Sequence, residues 1–156
     1  MYGTITSICF NGKTIQSVDG GHETERSDVD CGCSVPWNEK WWYDWDGIII
    51  QTEAQHIRFL ISKEAQCCES FGITVDEKFV DEETLRELIG LTITHVNLNP
   101  KREAVYRKTS DTSKVCVDVS FRDQRVLKVD LFNFHNGYYP HNVWLCWEGT
   151  ELFESI

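Results

Sequence analysis

Basic residues are scarce in this 156-residue sequence: 15 Lys and Arg stand against 25 Asp and Glu, a net charge of −10. That deficit disfavours non-specific binding to nucleic acid or to an anionic membrane, and it suits a partner with a basic surface. Long apolar runs are missing too. No stretch approaches the ~18 to 20 residues needed to cross a bilayer. Met1-Tyr2-Gly3 opens without a basic region followed by an apolar run, so no secretory leader is expected and the chain reads as cytoplasmic. There is no Gly-rich phosphate loop, no Gly-x-Ser-x-Gly and no His-Glu-x-x-His, so no enzyme class is indicated. No repeat and no linker divides the sequence. It reads as a single domain over 1–156, long enough to bury ~70% of its unfolded surface without a disulfide or metal.

Seven cysteines are present. In a cytoplasmic chain they are expected to be reduced thiols or metal ligands, and an odd count argues against a closed disulfide framework.

Hydrophobic periodicity is clearest in the last third, Val115 to Glu148. Val115, Val117, Val119 and Phe121 alternate with Cys116, Asp118 and Ser120, the period of a strand with one buried face. Arg122 to Arg125 is a polar connection, after which Leu127, Val129 and Leu131 repeat the pattern. Asn136-Gly137 predicts a hairpin into a third strand, Val143, Leu145 and Trp147, because both turn residues tolerate positive φ. Earlier in the chain, Thr4 to Phe10 and Thr14 to Val18 read as a hairpin about Asn11-Gly12. A second hairpin joins Gly47–Thr52 to the alternating Ile57, Phe59 and Ile61. The one helix expected is 81–89, capped by Asp81, with Glu82 and Glu83 at its positive end and Gly90 as its stop. Leu91 to Leu98 returns to strand character with a phase slip near His95. Pro100 to Lys108 reads as an irregular basic connection containing Lys101, Arg102, Arg107 and Lys108. The expected class is α+β: a mainly antiparallel sheet with one main helix packed on it.

Residues 19–46 interrupt this pattern. Asp19, Glu23, Glu25, Asp28, Asp30, Glu39, Asp44 and Asp46 face only Arg26 and Lys40, eight acids against two bases. Trp37, Trp41, Trp42, Tyr43 and Trp45 fall in the same stretch. A long acidic segment alone would read as disordered. One this rich in large aromatics reads instead as a functional excursion from the sheet.

Several pieces taken together resemble DUF7448, a small domain of bacteriophages and bacterial prophages. They are Gly12-Lys13-Thr14-Ile15, the strand pair from Gly47 to Ser62, Gln66-Cys67-Cys68-Glu69-Ser70, the helix ending Leu88-Ile89-Gly90, and Asn136-Gly137-Tyr138-Tyr139. The likeness covers about 110 to 120 residues and breaks at 19–46, which looks like an insertion. Many members carry a histidine four positions before the first cysteine, where Lys63 stands here. A role that needs that imidazole therefore does not carry over. The resemblance implies a phage or prophage origin and an α+β fold. It implies no activity.

Three kinds of chemistry compete. Partner binding is favoured: Glu23, Glu25, Asp28 and Asp30 would steer toward a basic protein surface, and Trp37, Trp41, Trp42 and Trp45 would anchor on it. Such surfaces belong to proteins that handle nucleic acid, which makes the expected partner a host immunity effector inhibited by an acidic mimic rather than nucleic acid itself. Against this stands a private mini-core built by the same tryptophans. A zinc site is the second reading, drawn from His22, Cys31, Cys33, Cys67 and Cys68, although their spacing matches no common module. The third is a nucleotide pocket, with Trp41, Trp42, Tyr43, Tyr138 and Tyr139 around a base and Lys101, Arg102, Arg107 and Lys108 on phosphate. A cysteine nucleophile at Cys67 or Cys68 would need a base such as His56, His95, His135 or His141, none of which sits in a recognisable motif.

Overall fold

The computed structural model describes residues 2–11, 13–15, 24–25, 45–62, 70–109, 112–134 and 141–156. Twelve strands and two helices follow one another as β1 Gly3–Phe10, β2 Lys13–Ile15, β3 Thr24–Glu25, β4 Trp45–Thr52, β5 His56–Ser62, β6 Ser70–Val75, β7 Lys78–Phe79, α1 Glu82–Leu88, β8 Thr92–Leu98, α2 Pro100–Thr109, β9 Thr112–Phe121, β10 Val126–Phe134, β11 Asn142–Trp147 and β12 Thr150–Ser155. The protein is mainly antiparallel β-sheet.

The strands run in the order β12-β11-β5-β4-β1-β8-β9-β10-β6-β7, with β2 paired to β1 and β3 paired to β2 off this path. Strand β1 joins two half-sheets. It pairs with β4 along most of its length and with β8 only at Gly3 and Thr4. The sheet folds over so that both halves share one core. Ile48, Ile50, Ile57, Phe59, Ile61, Val143 and Leu145 on one half meet Val75, Val115, Val117, Val119, Leu127, Val129 and Leu131 on the other. The seam is also closed by His141, whose ring stacks on Phe71 at 4.0 Å and whose Nδ1 lies 2.6 Å from the Ser62 carbonyl.

The expected strands at 4–10, 47–52, 57–61, 91–98, 115–121, 127–131 and 143–147 fall within β1, β4, β5, β8, β9, β10 and β11 to within a residue, β3, β6, β7 and β12 were not expected, and the slip expected near His95 is a register shift between Ile93 and His95. The capped helix is α1: the Thr84 N–H donates to Asp81 Oδ1 at 2.7 Å, and Leu85 and Leu88 are buried. Gly90 follows at φ +94.

Three expectations need correction. Residues 100–109 are a second helix, not an irregular connection. Asn99 caps it, accepting from the Arg102 N–H at 3.2 Å, and Pro100 occupies the first turn, where no donor is needed. The sequence is polar all round, so no apolar stripe announced the helix. The hairpin expected to join β10 to β11 is not found among the described strands: the neighbours of β10 are β9 and β6 and those of β11 are β5 and β12, and Asn136-Gly137 itself lies outside the described residues. The C-terminal hairpin is instead β11–β12, turning at Glu148 and Gly149, with Gly149 at φ +75. Finally, Cys9 is disulfide-bonded, its partner lying outside the described residues. Counting parity excludes a fully paired framework but permits a single bridge. Cys116 and Cys146 are free thiols.

Candidate functional site

In the half-sheet β1–β4–β5–β11–β12, the three strands β4, β5 and β11 are largely buried on both faces, whereas β12 is mostly exposed. Alternate residues of the half-sheet turn away from the main core, and cross-strand register lines them up in rows. One row runs Cys9, Ile49, Arg58, Cys146, Glu151 across five strands. The next runs Gly47, Leu60, Trp144, Phe153. Here Cys9, Trp45, Ile49, Leu60 and Trp144 form a second apolar cluster.

Aromatic rings dominate it. Trp45 and Trp144 have centroids 5.9 Å apart at 59°, and Phe153 meets Trp45 edge-on at 5.9 Å, the tilted geometries that ring quadrupoles favour. The Arg58 guanidinium lies over the Trp144 ring, 5.3 Å from its centroid. Trp144 Nε1 donates to Glu151 Oε1 at 3.2 Å. A desolvated cation over indole is worth about 2 kcal/mol, which helps to offset the burial of Arg58, 8% exposed. Phe153 is 53% exposed, so the cluster shows one aromatic edge to solvent on the terminal strand. Glu151 and Glu154 on the same strand are exposed.

Along this face from the tryptophans lies a cleft of about 350 Å³, lined by Ala54, Gln55, His56, Cys146, Trp147 and Glu148. The Glu148 N–H donates to Gln55 Oε1 at 2.7 Å, tying the β4–β5 turn to the β11–β12 turn. His56 Nε2 is buried and has no hydrogen-bond partner. Burial, and secondly the Arg58 charge, hold the His56 imidazole below its ordinary value, which favours the neutral ring.

A separate polar cluster sits where α2 covers β9 and β10. Arg102 donates to Asp130, to Asp118 Oδ1 at 2.6 Å and to the Val117 carbonyl at 3.0 Å. Asn99 Nδ2 donates to Asp118 Oδ2 at 2.8 Å, and the Cys116 N–H donates to Glu103 Oε1 at 3.1 Å. Arg102 is thereby committed to two carboxylates, which removes it from the phosphate-binding set expected at 101–108. Lys101 is exposed.

Of the residues expected to bind a partner, Glu23, Asp28, Asp30, Trp37, Trp41 and Trp42 lie outside the described residues. Glu25 is described only as the end of β3, paired with Lys13. Trp45 was expected on an exposed anchor surface. It is 4% exposed and packs on the sheet residues Ile49, Leu60 and Trp144 in the second cluster. The proposed zinc ligands His22, Cys31, Cys33, Cys67 and Cys68 all lie outside the described residues. Among the described residues no group of three or more His, Cys, Asp and Glu could hold a metal. No described helix is long and apolar enough to cross a membrane. His56 and Cys146 were legible as the polar phase of two alternating strands. What the sequence lacked was the pairing of β5 with β11 that puts them in one cleft.

The family model for a domain of unknown function, DUF7448, matches residues 10–145, and the chain belongs to that family. No curated protein and no solved structure matches it.

Proposed function

We propose that this DUF7448 member is a non-enzymatic phage or prophage accessory protein that works in the host bacterial cytoplasm by binding and inhibiting a host protein with a basic, nucleic-acid-handling surface. Support comes from the juxtaposition at Trp45. The acidic, tryptophan-rich run joins the sheet at the buried cluster whose exposed edge is Phe153, on a half-sheet whose terminal strand presents Glu151 and Glu154. Aromatic anchors beside a strong negative field suit a groove that otherwise holds phosphates: the rings supply contact area, and the acids set approach and register. Glu23, Glu25, Asp28 and Asp30 are the steering acids in this reading, and Trp37, Trp41 and Trp42 the anchors. Trp45 roots them.

The test is capture from host lysate with the intact chain and with a variant in which Glu23, Glu25, Asp28 and Asp30 become Gln or Asn, both shown to fold by circular dichroism. The reading expects a nucleic-acid-handling protein held by the intact chain, released by salt, and lost from the variant. Retention of the same partner by the neutralised chain, or empty lanes from both, overturns it. Excision of the whole run is a poorer test, since a deletion that takes Trp45 removes core.

A further inference from the structure

Strand β12 ends the sheet, and among the described residues its one neighbour is β11. His141 and Ile156 exchange both backbone bonds at 2.8 Å, so they form a hydrogen-bonded pair. Such pairs alternate along an antiparallel ladder. The register therefore makes Glu154–Val143, Leu152–Leu145 and Thr150–Trp147 the other bonded pairs. Glu151, Phe153 and Ser155 turn their N–H and C=O groups the opposite way, outward from β11. Glu151 and Ser155 are exposed, and Phe153 is 53% exposed. The other end of the sheet is blunt, since β7 is only Lys78 and Phe79.

The side chains along this edge set what can pair with it. Phe153 lies on the face of the second cluster, edge-on to Trp45, and Glu151 is on the same face, its carboxylate held by the Trp144 Nε1 donation at 3.2 Å. Both are positioned before any partner arrives. Glu154 falls on the opposite face with Leu152, which packs against the main core. From Glu148 to Ile156 there are three acids and no base.

Resting on the partner-binding reading, and naming its mode of contact, we propose that β12 is a docking edge for an extended basic segment of the partner, added antiparallel as the next strand. Backbone bonds at Glu151 and Ser155 hold any strand, and the side chains select which one. Directly opposite residues share a face. The segment therefore carries Lys or Arg opposite Glu154, an apolar residue opposite Phe153, and Lys or Arg opposite Glu151. Along the segment the pattern is basic, apolar, any residue, basic. A second copy of this chain is a poor occupant, because it brings the same net charge of −10 and the same acids to the edge.

The test is amide hydrogen exchange on the full chain, read residue by residue by NMR, with the end-blocked peptide Thr-Lys-Val-Thr-Lys-Thr as probe. Without peptide, the Glu151 and Ser155 amides should exchange fast, while those of Leu152 and Glu154, bonded to β11, are protected. Peptide at ~5 mM should slow Glu151 and Ser155 about fivefold if it binds with a Kd of ~1 mM. The same peptide with Glu in place of both Lys should leave them unchanged. Glu154→Lys should weaken the basic peptide about threefold, with Leu152 protection unchanged as the check that β12 still pairs with β11. No slowing at Glu151 and Ser155, or equal slowing by the acidic peptide, overturns the proposal. So does protection that rises with protein concentration and no peptide, which would make the occupant a second copy. Capture of the partner from lysate by a chain whose edge ignores the peptide overturns the docking edge alone. Empty capture lanes beside a peptide-protected edge overturn the partner reading alone.

Discussion

Arg102 on α2 donates to Asp130 on β10, a carboxylate only 1% exposed. The pair fastens a helix with no apolar stripe to the back of a sheet. The sheet under α2 offers Asp118, Asp130 and Cys116 to it. Asn99 serves twice, capping the helix and holding Asp118.

Arg102→Met should therefore destabilise by ~3–5 kcal/mol, since it strands a buried charge. Replacing both partners, Arg102→Met with Asp130→Leu, should recover most of that loss. Urea unfolding of the two variants checks it. A single variant within 1 kcal/mol of wild type would show that α2 is held by something else.

Gly47 should tolerate no side chain. It has φ +140, and a Cβ there would lie 2.1 Å from the Phe59 carbonyl oxygen on the paired strand. Nothing flexible can move aside, because the obstacle is backbone. The same glycine exchanges backbone and side-chain bonds with Asn11, whose Oδ1 accepts from the Gly47 N–H at 2.7 Å. Gly47→Ala is expected to cost about 3 kcal/mol or more, read as a lowered urea midpoint with an unchanged slope.

Trp45 and Phe153 touch each other but should behave differently. Trp45→Ala opens a cavity in a buried cluster and should cost ~3–5 kcal/mol. Phe153→Ala, at a half-exposed edge, should cost less than about 1.5 kcal/mol. Thermal melts of both separate structural tryptophan from exposed aromatic. If the partner reading holds, only the Phe153 variant can weaken capture without weakening the fold.

His56 gives stability a pH dependence of defined sign. Its folded-state value is depressed, so as pH falls through 6.5 the unfolded chain takes up the proton first and stability drops, until the folded-state imidazole protonates in turn. His56→Asn should flatten that part of the profile. Urea unfolding between pH 5 and 7.5 is the measurement. A variant profile as steep as wild type on the acid side would mean that other groups set it.

How much was legible differs by element. Asp81 and Gly90 bracketed α1 because capping is a local interaction between neighbours in sequence. The slip at His95 was legible because a bulge breaks the period of two in the sequence itself. Asn136-Gly137 misled because a turn signal constrains only the turn, whereas the partner of β11 is set by which half-sheet can bury Val143 and Leu145. Residues 100–109 were unreadable as helix because their stability comes from Asp118 and Asp130, residues that follow them in the chain.

The sequence by itself determined the alternating strands, the capped helix, the acidic excess and the family. All of these are properties of adjacent residues or of summed composition. Tertiary structure alone decided that Trp45 is core, that Arg102 is committed to two carboxylates, and that His56 and Cys146 share a cleft. Each of these rests on pairing between segments far apart in the chain, and periodicity says which face a side chain takes but not which strand lies beside it.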